Sequence, residues 1–391
     1  MRAVFVSIFD TNDPRAWSGT IYHMVRALKR AGLQVDTIDA LSDRYRLFFR
    51  AKRILKSAFR NKQYLRDREP LVLRSYATQV KAALRNLRPD FIISPGTLPI
   101  AYLQTDIPIV CWPDATFAGM LNFYPEFSNL CNETIRNGNR MEQAALSNCE
   151  LAIYSSEWAA ASAINYYQVD REKIKVVPYG ANLSCNPSIE DAQRTIASRN
   201  LVVQKLLFVG VDWYRKGGDQ ALSVASRLFQ QGVDVELHVV GCQPPARAPH
   251  FVKTHGFVSK STRDQREVLA RLFKEASFLL HPAGAESFGI VVAEANAFGV
   301  PALTTNVGGL STVVWDGRNG QKFDRVAFVE QCTAYIMQMR SSKEQYYQLC
   351  NSSFHEYATR LNWDSSVRLV LELVGSRIAA PKRHQTQKKI T

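Results

Sequence analysis

Residues 281–295 of the chain have the sequence HPAGAESFGIVVAEA. They follow a short apolar run, Ser277–Leu280, and lead into a segment with the pattern of a helix. Gly284 and Gly289 allow the backbone to approach a ligand closely, because glycine has no Cβ. The free N–H groups at a helix start form a site for an anion such as a diphosphate. This stretch therefore predicts a strand–loop–helix unit that binds phosphate.

Two glutamates in this stretch predict contacts with the two ends of a nucleotide sugar. Glu286 lies at the predicted helix start, and Glu294 follows eight residues later. Eight helical residues span about 12 Å, which is comparable to the stretch of a nucleotide sugar from its hexose to its ribose. A carboxylate at each end accepts hydrogen bonds from vicinal hydroxyls. The alternative is a surface helix with two glutamates, but the strand–glycine–helix setting favours a binding site.

A second loop supplies positive charge after another predicted strand. Residues 206–218 read LLFVGVDWYRKGG, so a strand ends at Gly210 and a Gly-Gly pair opens the next helix. Arg215 and Lys216 precede that pair and can neutralise a diphosphate leaving group. The alternative is a solvated Arg–Lys pair on a loop. We favour the binding interpretation, and Lys216 more than Arg215.

A third loop, Trp17-Ser18-Gly19-Thr20, follows the first predicted strand and precedes a helix at Ile21. The backbone N–H groups of Ser18 and Gly19 are candidates to bind the same phosphates from across a cleft. An ordinary serine cap of the helix explains the pattern equally well.

The whole chain alternates short β-branched runs with amphipathic stretches, which predicts parallel sheets covered by helices. A length of 391 residues suggests two such domains. Ten runs are predicted as strands: Ala3–Phe9, Val35–Ile38, Phe91–Ser94, Ile107–Cys111, Leu151–Tyr154, Ile174–Val177, Lys205–Val209, Val235–Val240, Ser277–Leu280 and Pro301–Thr304.

Composition shifts along the chain predict its domain boundaries. An N-terminal domain covers residues 1–182 and includes a basic helical region, 41–90. A polar linker, 183–200, precedes a C-terminal domain, 201–360. A last helix, 361–379, is expected to pack back on the N-terminal domain. The basic tail, 380–391, is expected to be disordered, since it has little apolar surface to bury.

The bulk composition is ordinary for a soluble protein, with 46% hydrophobic and 21% charged residues. No run approaches the roughly 20 apolar residues that span a bilayer. Seven scattered cysteines without CxxC spacing argue against a disulfide framework and a zinc site, and favour a reducing cytoplasm. The expected location is cytoplasmic, with contact to the inner face of a membrane as a further hypothesis.

The net charge of +14 is concentrated in residues 41–90, where fourteen basic residues face four acidic ones, an excess of +10. Within 44–62, apolar residues follow helical spacing among these cations, as in helices that lie on anionic membranes. The alternative is a solvated helix with one packed apolar stripe. Nucleic acid is an unlikely partner, because no nucleic-acid motif is present. The apolar positions are Phe48, Ala51, Leu55, Ala58 and Phe59.

These motifs resemble the retaining glycosyltransferases of family 4, which have the GT-B fold: two Rossmann-like α/β domains with doubly wound parallel sheets that face each other across a cleft. The resemblance covers nearly the whole chain and is most specific at Ala285–Phe323. It implies that Glu286 faces the donor sugar, Glu294 holds the ribose and Lys216 holds the diphosphate. It also implies roles in donor binding for the Gly19 loop and for Gly284, Ser287, Phe288, Gly289, Gly256, Phe257 and Val258, the last three beside the base.

Three positions depart from the family pattern and indicate a divergent subgroup. Val211 occupies the position of an arginine, so Arg215 is the candidate to replace its charge. Pro113 replaces the histidine of a His-Asp pair, which leaves Asp114 as the remaining catalytic candidate there. Thr312 replaces a glutamate after the late Gly-Gly pair.

The resemblance implies transfer of a sugar from a nucleotide diphosphate to a hydroxyl acceptor with retained anomeric configuration. The acceptor class stays open among glycans, lipid-linked saccharides and lipids. No metal or other cofactor is expected, since the histidines show no HxxxH or HExxH pattern. Two alternatives remain: a non-catalytic scaffold that binds anionic partners through the basic region, and an epimerase-like enzyme of the same fold.

Overall fold

The computed structural model describes residues 1–50, 52, 54, 62–184, 186–245 and 248–378. Within this part, the chain forms two six-stranded sheets, all of whose strand pairs are parallel. The predicted fold class, two Rossmann-like α/β domains, is confirmed.

The N-terminal sheet has the order β2-β1-β3-β4-β5-β6. Its strands are mostly apolar because helices cover both faces, and β3, β4 and β5 are buried along their whole length. The strands are β1 (Arg2–Val6), β2 (Gln34–Ile38), β3 (Phe91–Ser94), β4 (Ile109–Cys111), β5 (Leu151–Tyr154) and β6 (Ile174–Val176).

The C-terminal sheet has the order β12-β11-β10-β7-β8-β9, so that its first strand, β7, lies beside its fourth, β10. This is the strand order of a dinucleotide-binding Rossmann domain. Its strands are β7 (Gln204–Val209), β8 (Val235–Val240), β9 (Val252–Thr254), β10 (Phe278–His281), β11 (Ala302–Thr305) and β12 (Gly320–Phe323).

Helices cover both sheets and connect most of the successive strands. They are α1 (Thr20–Arg30), α2 (Pro70–Leu84), α3 (Phe117–Met120), α4 (Asn132–Asn148), α5 (Glu157–Tyr166), α6 (Ile189–Ser198), α7 (Gly218–Gln230), α8 (Arg263–Glu275), α9 (Ile290–Asn296), α10 (Leu310–Val313), α11 (Phe328–Ser341), α12 (Lys343–Thr359) and α13 (Trp363–Ile378). Residues 46–50, 52 and 54 are also helical.

Each predicted strand corresponds to an observed one, with ends that differ by up to three residues. Two strands, β9 and β12, were not predicted. Both lie at the edges of their sheet, where a strand has one neighbour and needs no continuous apolar run. The residues of β9 are half-buried or exposed, so they carry no hydrophobic signal.

The predicted linker, 183–200, contains the helix α6. Ser188 caps this helix, because its hydroxyl accepts a hydrogen bond from the backbone N–H of Asp191 at 3.1 Å. Ala192 and Ile196, four residues apart, lie buried on one face, and α6 packs against α12. The segment is therefore part of the C-terminal domain's packing as well as the connection between the sheets.

The last helix, α13, packs against α1 of the N-terminal domain. Trp363 at its start stacks on Tyr179, with ring centroids 5.5 Å apart, and donates a hydrogen bond to Asn182 at 3.0 Å. A Cβ on Gly180 would lie 2.0 Å from the backbone nitrogen of Trp363, so only glycine fits there. The chain thus returns to the N-terminal domain through an aromatic cluster behind the cleft. The tail, 380–391, lies outside the described residues.

Among the described residues, no helix combines the length and the apolar character that crossing a bilayer requires. In the basic region, Leu47, Phe48 and Ile54 are exposed at 80%, 68% and 58%, whereas Phe49 is buried. Four of the five positions of the predicted apolar stripe, Ala51, Leu55, Ala58 and Phe59, lie outside the described residues.

Candidate functional site

The site lies where the strand order of the C-terminal sheet reverses, between β7 and β10. The loops that leave the carboxyl ends of two such strands diverge and open a crevice, which is where ligands bind in doubly wound sheets. Lys216 follows β7, and Glu286 follows β10. Two segments that are 70 residues apart in sequence therefore meet at one point.

A cavity of about 890 Å³ occupies this crevice and extends to the N-terminal domain. Its size is at the upper end for small-molecule sites, roughly 300–1,000 Å³. Both domains line it. Of the predicted site residues, those in its wall are Ser18, Asp114, Arg215, Lys216, Phe257, Val258, Glu286, Ser287 and Glu294.

Glu286 forms an ion pair with Lys216 inside this cavity. Its carboxylate also contacts Nε2 of His281 at 3.0 Å. Burial alone would raise the pKa of Glu286, but the charge of Lys216 and the hydrogen bond from His281 outweigh it and hold the pKa well below its usual range. The carboxylate is therefore ionised and oriented by two donors.

His281 is fully buried, and burial together with the charge of Lys216 lowers its pKa. A neutral imidazole has one N–H, and the contact with the Glu286 carboxylate places it on Nε2. Nδ1 has no hydrogen-bond partner among the described residues. His281 thus acts on Glu286 as a hydrogen-bond donor.

Glu294 forms the second ion pair of the cavity, with Lys260. Glu294 is 1% exposed, and burial raises its pKa although Lys260 and the backbone N–H of Asn182 oppose the shift. The pKa of Glu286 is therefore lowered, whereas that of Glu294 is raised. Lys260 was not among the predicted residues. It lies two positions after Val258, and its positive charge in that predicted loop was the sequence feature that could have indicated it.

The two glutamates do not lie on one continuous helix, in contrast to the sequence argument. The helix α9 begins only at Ile290, because Gly289 adopts a left-handed conformation with φ of +88°. A Cβ on Gly289 would also lie 2.7 Å from Leu310 Cδ2. The estimate of about 12 Å from helical rise therefore does not describe their separation.

Ser287 joins the two domains across the cleft. Its hydroxyl donates a hydrogen bond to Asp114 at 2.9 Å, and its backbone N–H donates to the hydroxyl of Tyr124 at 2.7 Å. Burial raises the pKa of Asp114 to about 6, and the nearby charge of Glu286 adds to the shift while Ser287 opposes it. The pKa of Asp114 is thus raised above the usual range of a carboxyl group, beside the ionised Glu286. Tyr124 was not predicted, since no motif surrounds it.

Arg215 lies beside Lys216 and points along the same wall. Its guanidinium donates to the carbonyl of Ala285 at 3.2 Å and lies over the ring of Tyr124, 5.6 Å from the centroid. Its backbone carbonyl accepts a hydrogen bond from Gly284 at 2.8 Å. Val211, at the position where the family resemblance implies an arginine, is 67% exposed. The loop therefore keeps two cations at the cavity in spite of that substitution.

The loop before α1 contributes from the opposite domain. Trp17, Ser18 and Gly19 all have positive φ angles, of 48°, 57° and 87°. Gly19 rather than Ser18 precedes the helix, and the Ser18 side chain makes no capping hydrogen bond. Such conformations are costly for residues other than glycine, and they concentrate at functional sites. Asn182 supports the loop by donating to the carbonyl of Ser18 at 2.9 Å.

Five predicted donor-binding residues are not part of the cavity wall: Gly19, Gly256, Gly284, Phe288 and Gly289. Phe288 is buried and packs on Tyr179, with centroids 5.3 Å apart, so its ring belongs to the core between the domains. Gly284 and Gly289 shape the loop that presents Glu286 and Ser287. In contrast, Phe257 is 67% exposed at the mouth of the cavity.

Comparison with known proteins identifies two matching families that together cover most of the chain. Residues 19–184 match glycosyltransferase family 4, and residues 191–353 match the glycosyl transferases group 1. Among solved structures, sucrose-phosphate synthase from Thermosynechococcus elongatus aligns over 97% of this chain and 100% of its own, with a TM-score of 0.67 at 18% identity. Anabaena HepE, solved with UDP-glucose, aligns over 96% and 100%, with a TM-score of 0.63 at 15% identity.

Curated relatives include D-inositol 3-phosphate glycosyltransferases. The protein of that name from Paenarthrobacter aurescens is 29% identical over 188 residues, which are 46% of this chain and 46% of that protein. The one from Corynebacterium urealyticum is 24% identical over 310 residues, 72% of this chain and 70% of that protein. The first of these matches thus spans less than half the length of the relative.

Proposed function

The chain belongs to the glycosyl transferases group 1, and from this premise we propose that it transfers a sugar from a nucleotide diphosphate sugar to a hydroxyl group, with retention of anomeric configuration. The observation that carries the proposal is a pair of buried glutamates, each in contact with a partly exposed lysine, in one cavity at the switch point of a Rossmann sheet: Lys216–Glu286 and Lys260–Glu294. The names of the curated relatives and the UDP-glucose bound to HepE support the same class of donor.

The positions of the charges suggest how the donor binds. The diphosphate takes the position next to Lys216 and Arg215, whose cations neutralise it. The hexose then meets Glu286, and the ribose meets Glu294. The base lies by the loop of Gly256, Phe257 and Val258. Because each lysine is paired with a glutamate in the described structure, binding replaces these ion pairs by contacts with phosphate and hydroxyl groups.

The residues of the site suit a reaction in which the protein mainly positions groups and stabilises charge. In a front-side transfer, the leaving phosphate takes the proton of the acceptor hydroxyl as the new glycosidic bond forms. Lys216 and Arg215 stabilise the charge that develops on that phosphate, so we propose that no metal is required. Asp114 accepts a hydrogen bond from the attacking hydroxyl and orients it.

Slow hydrolysis of the donor tests this proposal without a known acceptor. The protein is incubated with UDP-glucose, GDP-mannose and related nucleotide sugars, and release of the nucleoside diphosphate is measured. We expect one donor to be turned over, and NMR of the first sugar released to show the anomeric configuration of the donor. Inverted product would contradict retention. Binding without any turnover would favour the scaffold alternative, and a changed sugar still joined to its nucleotide would indicate the epimerase alternative.

The rate of this hydrolysis should depend on the ionisation of Asp114. With a pKa of about 6, its carboxyl group is protonated below that pH and charged above it. Only the charged form is a pure hydrogen-bond acceptor for the attacking hydroxyl. The rate should therefore rise with pH through about 6 in the wild type. In Asp114→Asn the rate should be lower and should no longer rise with pH in this range. A rise unchanged in the variant would exclude Asp114 as the group whose ionisation causes it.

We further propose that the acceptor is a glycan, a lipid-linked saccharide or a lipid, and that residues 44–62 contact an anionic membrane. The exposure of Leu47, Phe48 and Ile54 next to arginines supports a surface that inserts between headgroups. Sedimentation with phosphatidylglycerol vesicles, but not with phosphatidylcholine vesicles, is the expected result, and Phe48→Ser should weaken it. If the protein sediments with neither kind of vesicle, the membrane proposal is contradicted and the region is a solvated surface.

A further inference from the structure

The cavity extends beyond the donor site into the N-terminal domain, where two charged side chains lie in its wall. Arg68 and Glu142 are 6% and 2% exposed, yet both line the cavity. Neither belongs to a motif of the family resemblance, and neither contacts Lys216, Glu286, Lys260 or Glu294 in the hydrogen bonds or ion pairs described above. Burying charged groups is costly unless partners satisfy them, so these two side chains need an explanation.

Glu142 lies on α4 and has one satisfied and one unsatisfied oxygen. Oε2 accepts a hydrogen bond from the hydroxyl of Thr97 at 2.8 Å. Oε1 is buried and has no partner among the described residues. Burial raises the pKa of this carboxyl group to about 7, whereas Thr97, the charge of Arg68 and the backbone N–H of Phe117 restrain the shift. The side chain of Glu142 lines the cavity and therefore carries a buried acceptor atom that no hydrogen bond among the described residues satisfies.

Arg68 presents the complementary unsatisfied donor. Its Nη1 pairs with Asp67 at 2.9 Å, while Nε is buried without a partner among the described residues. The guanidinium lies over the rings of Phe117 and Phe127, 5.4 and 5.7 Å from their centroids. These contacts hold the plane of the guanidinium group, so the Nε–H bond of Arg68 has a fixed orientation although it makes no hydrogen bond to a described residue.

We propose that Arg68 and Glu142 form a subsite for the acceptor, in which hydroxyl groups of a neutral sugar or polyol donate to Glu142 Oε1 and accept from Arg68 Nε. A hydroxyl has one donor and two acceptor positions, so hydroxyl groups can pair both with the unsatisfied acceptor and with the unsatisfied donor. The inference rests on the proposed function and names the substrate class for the half of the cavity that the donor does not need.

The charges of this subsite favour a neutral polyol over an anion. An isolated arginine would attract phosphate or carboxylate, but Glu142 repels them in its charged form, above its pKa of about 7. The partly exposed ring of Phe127, also in the wall, offers an apolar face against which the C–H side of a sugar ring can pack. Asp114 lies in the wall of the same cavity, so an acceptor bound here shares a continuous space with the reacting end of the donor.

Binding of simple polyols to the full chain tests the subsite. The probes are methyl α-D-glucopyranoside and myo-inositol, followed by saturation-transfer NMR with and without UDP. We expect the wild type to bind at least one of them, and Glu142→Gln and Arg68→Met to weaken that binding by about tenfold or more, the usual loss for a hydrogen bond to a charged group. Glu126→Gln removes a carboxylate from an exposed position in the same wall and should leave binding unchanged.

Other outcomes separate this inference from the proposed function. Melting temperature and UDP binding show whether the variants are folded with an intact donor site. Wild-type protein that binds UDP but neither polyol overturns the subsite alone, as does displacement of a bound polyol by inorganic phosphate. If the wild type does not bind UDP, the donor assignment is contradicted instead, and polyol binding can still be measured.

Discussion

Replacing Lys216 by methionine is expected to lower kcat/KM for donor turnover by about 10²- to 10³-fold, the usual effect of removing one group that stabilises a developing anion. Methionine preserves most of the side-chain volume but not the charge. The ammonium group that pairs with Glu286 is also one of the two cations, with Arg215, beside the proposed diphosphate position. Binding of the nucleoside diphosphate should therefore weaken together with turnover.

The same variant should be less stable, because its neighbour Glu286 becomes a buried carboxylate without its charge partner. Breaking one side of such a pair costs roughly 3 kcal/mol of the free energy of unfolding. The pKa of Glu286 should rise, since burial is then opposed by His281 alone. Steady-state kinetics and urea unfolding measure the two effects.

Lys205→Met is the matched control, because Lys205 also pairs with a glutamate, Glu275 at 2.8 Å, but does not line the main cavity. It should lose less stability than Lys216→Met and no turnover, because Glu275 is 42% exposed and ion pairs near the surface contribute about 1 kcal/mol or less. Equal kinetic losses in both variants would show that the effect of Lys216→Met is not specific to the cavity.

Replacing Glu286 by glutamine is expected to abolish most donor turnover while nucleotide binding persists. Glutamine keeps the shape of the side chain but cannot hold Lys216 by charge, and its amide can donate as well as accept hydrogen bonds. We expect kcat to fall by about 10²-fold or more, as when one stabilising group at a reacting centre is removed. UDP affinity should change little, because in our account Glu286 meets the sugar and not the diphosphate.

This pattern differs from that of Lys216→Met, in which turnover and nucleotide binding fall together. Glu275→Gln serves as the control for charge loss outside the cavity. If Glu286→Gln retained wild-type turnover, Glu286 would not be the residue that faces the donor sugar.

Much of the fold follows from local sequence patterns, whereas parts of the site do not. Buried strands such as Phe91–Ser94 are recognisable because covering helices require continuous apolar runs. The strands β9 and β12 lack that requirement at the sheet edges and so have no comparable pattern. The helix α6 was missed because its apolar face is only two buried residues wide.

Most predicted site residues that line the cavity belong to loops with recognisable glycine and charge patterns, and Glu294 lies on the helix α9 that follows one of them. Four further residues line the same cavity, but no local sequence pattern marks them: Lys260, Tyr124, Arg68 and Glu142. The contact of Lys260 with Glu294, for example, joins residues 34 positions apart. Arg68 and Glu142 come from different helical segments, and no local pattern indicates that both face one cavity. Such pairings depend on how the domains pack, which local sequence does not encode.

Thermal unfolding with UDP, GDP, ADP and dTDP tests the central claim, that this cavity binds the nucleotide of a sugar donor with Glu294 at the ribose. At about 100 times its dissociation constant, the correct nucleotide should stabilise the wild type by about 2.7 kcal/mol, seen as a higher melting temperature. Glu294→Ala should lose this shift, and Glu275→Ala should keep it. A shift that persists in Glu294→Ala would contradict the ribose assignment, and no shift with any nucleotide in the wild type would contradict the donor site itself.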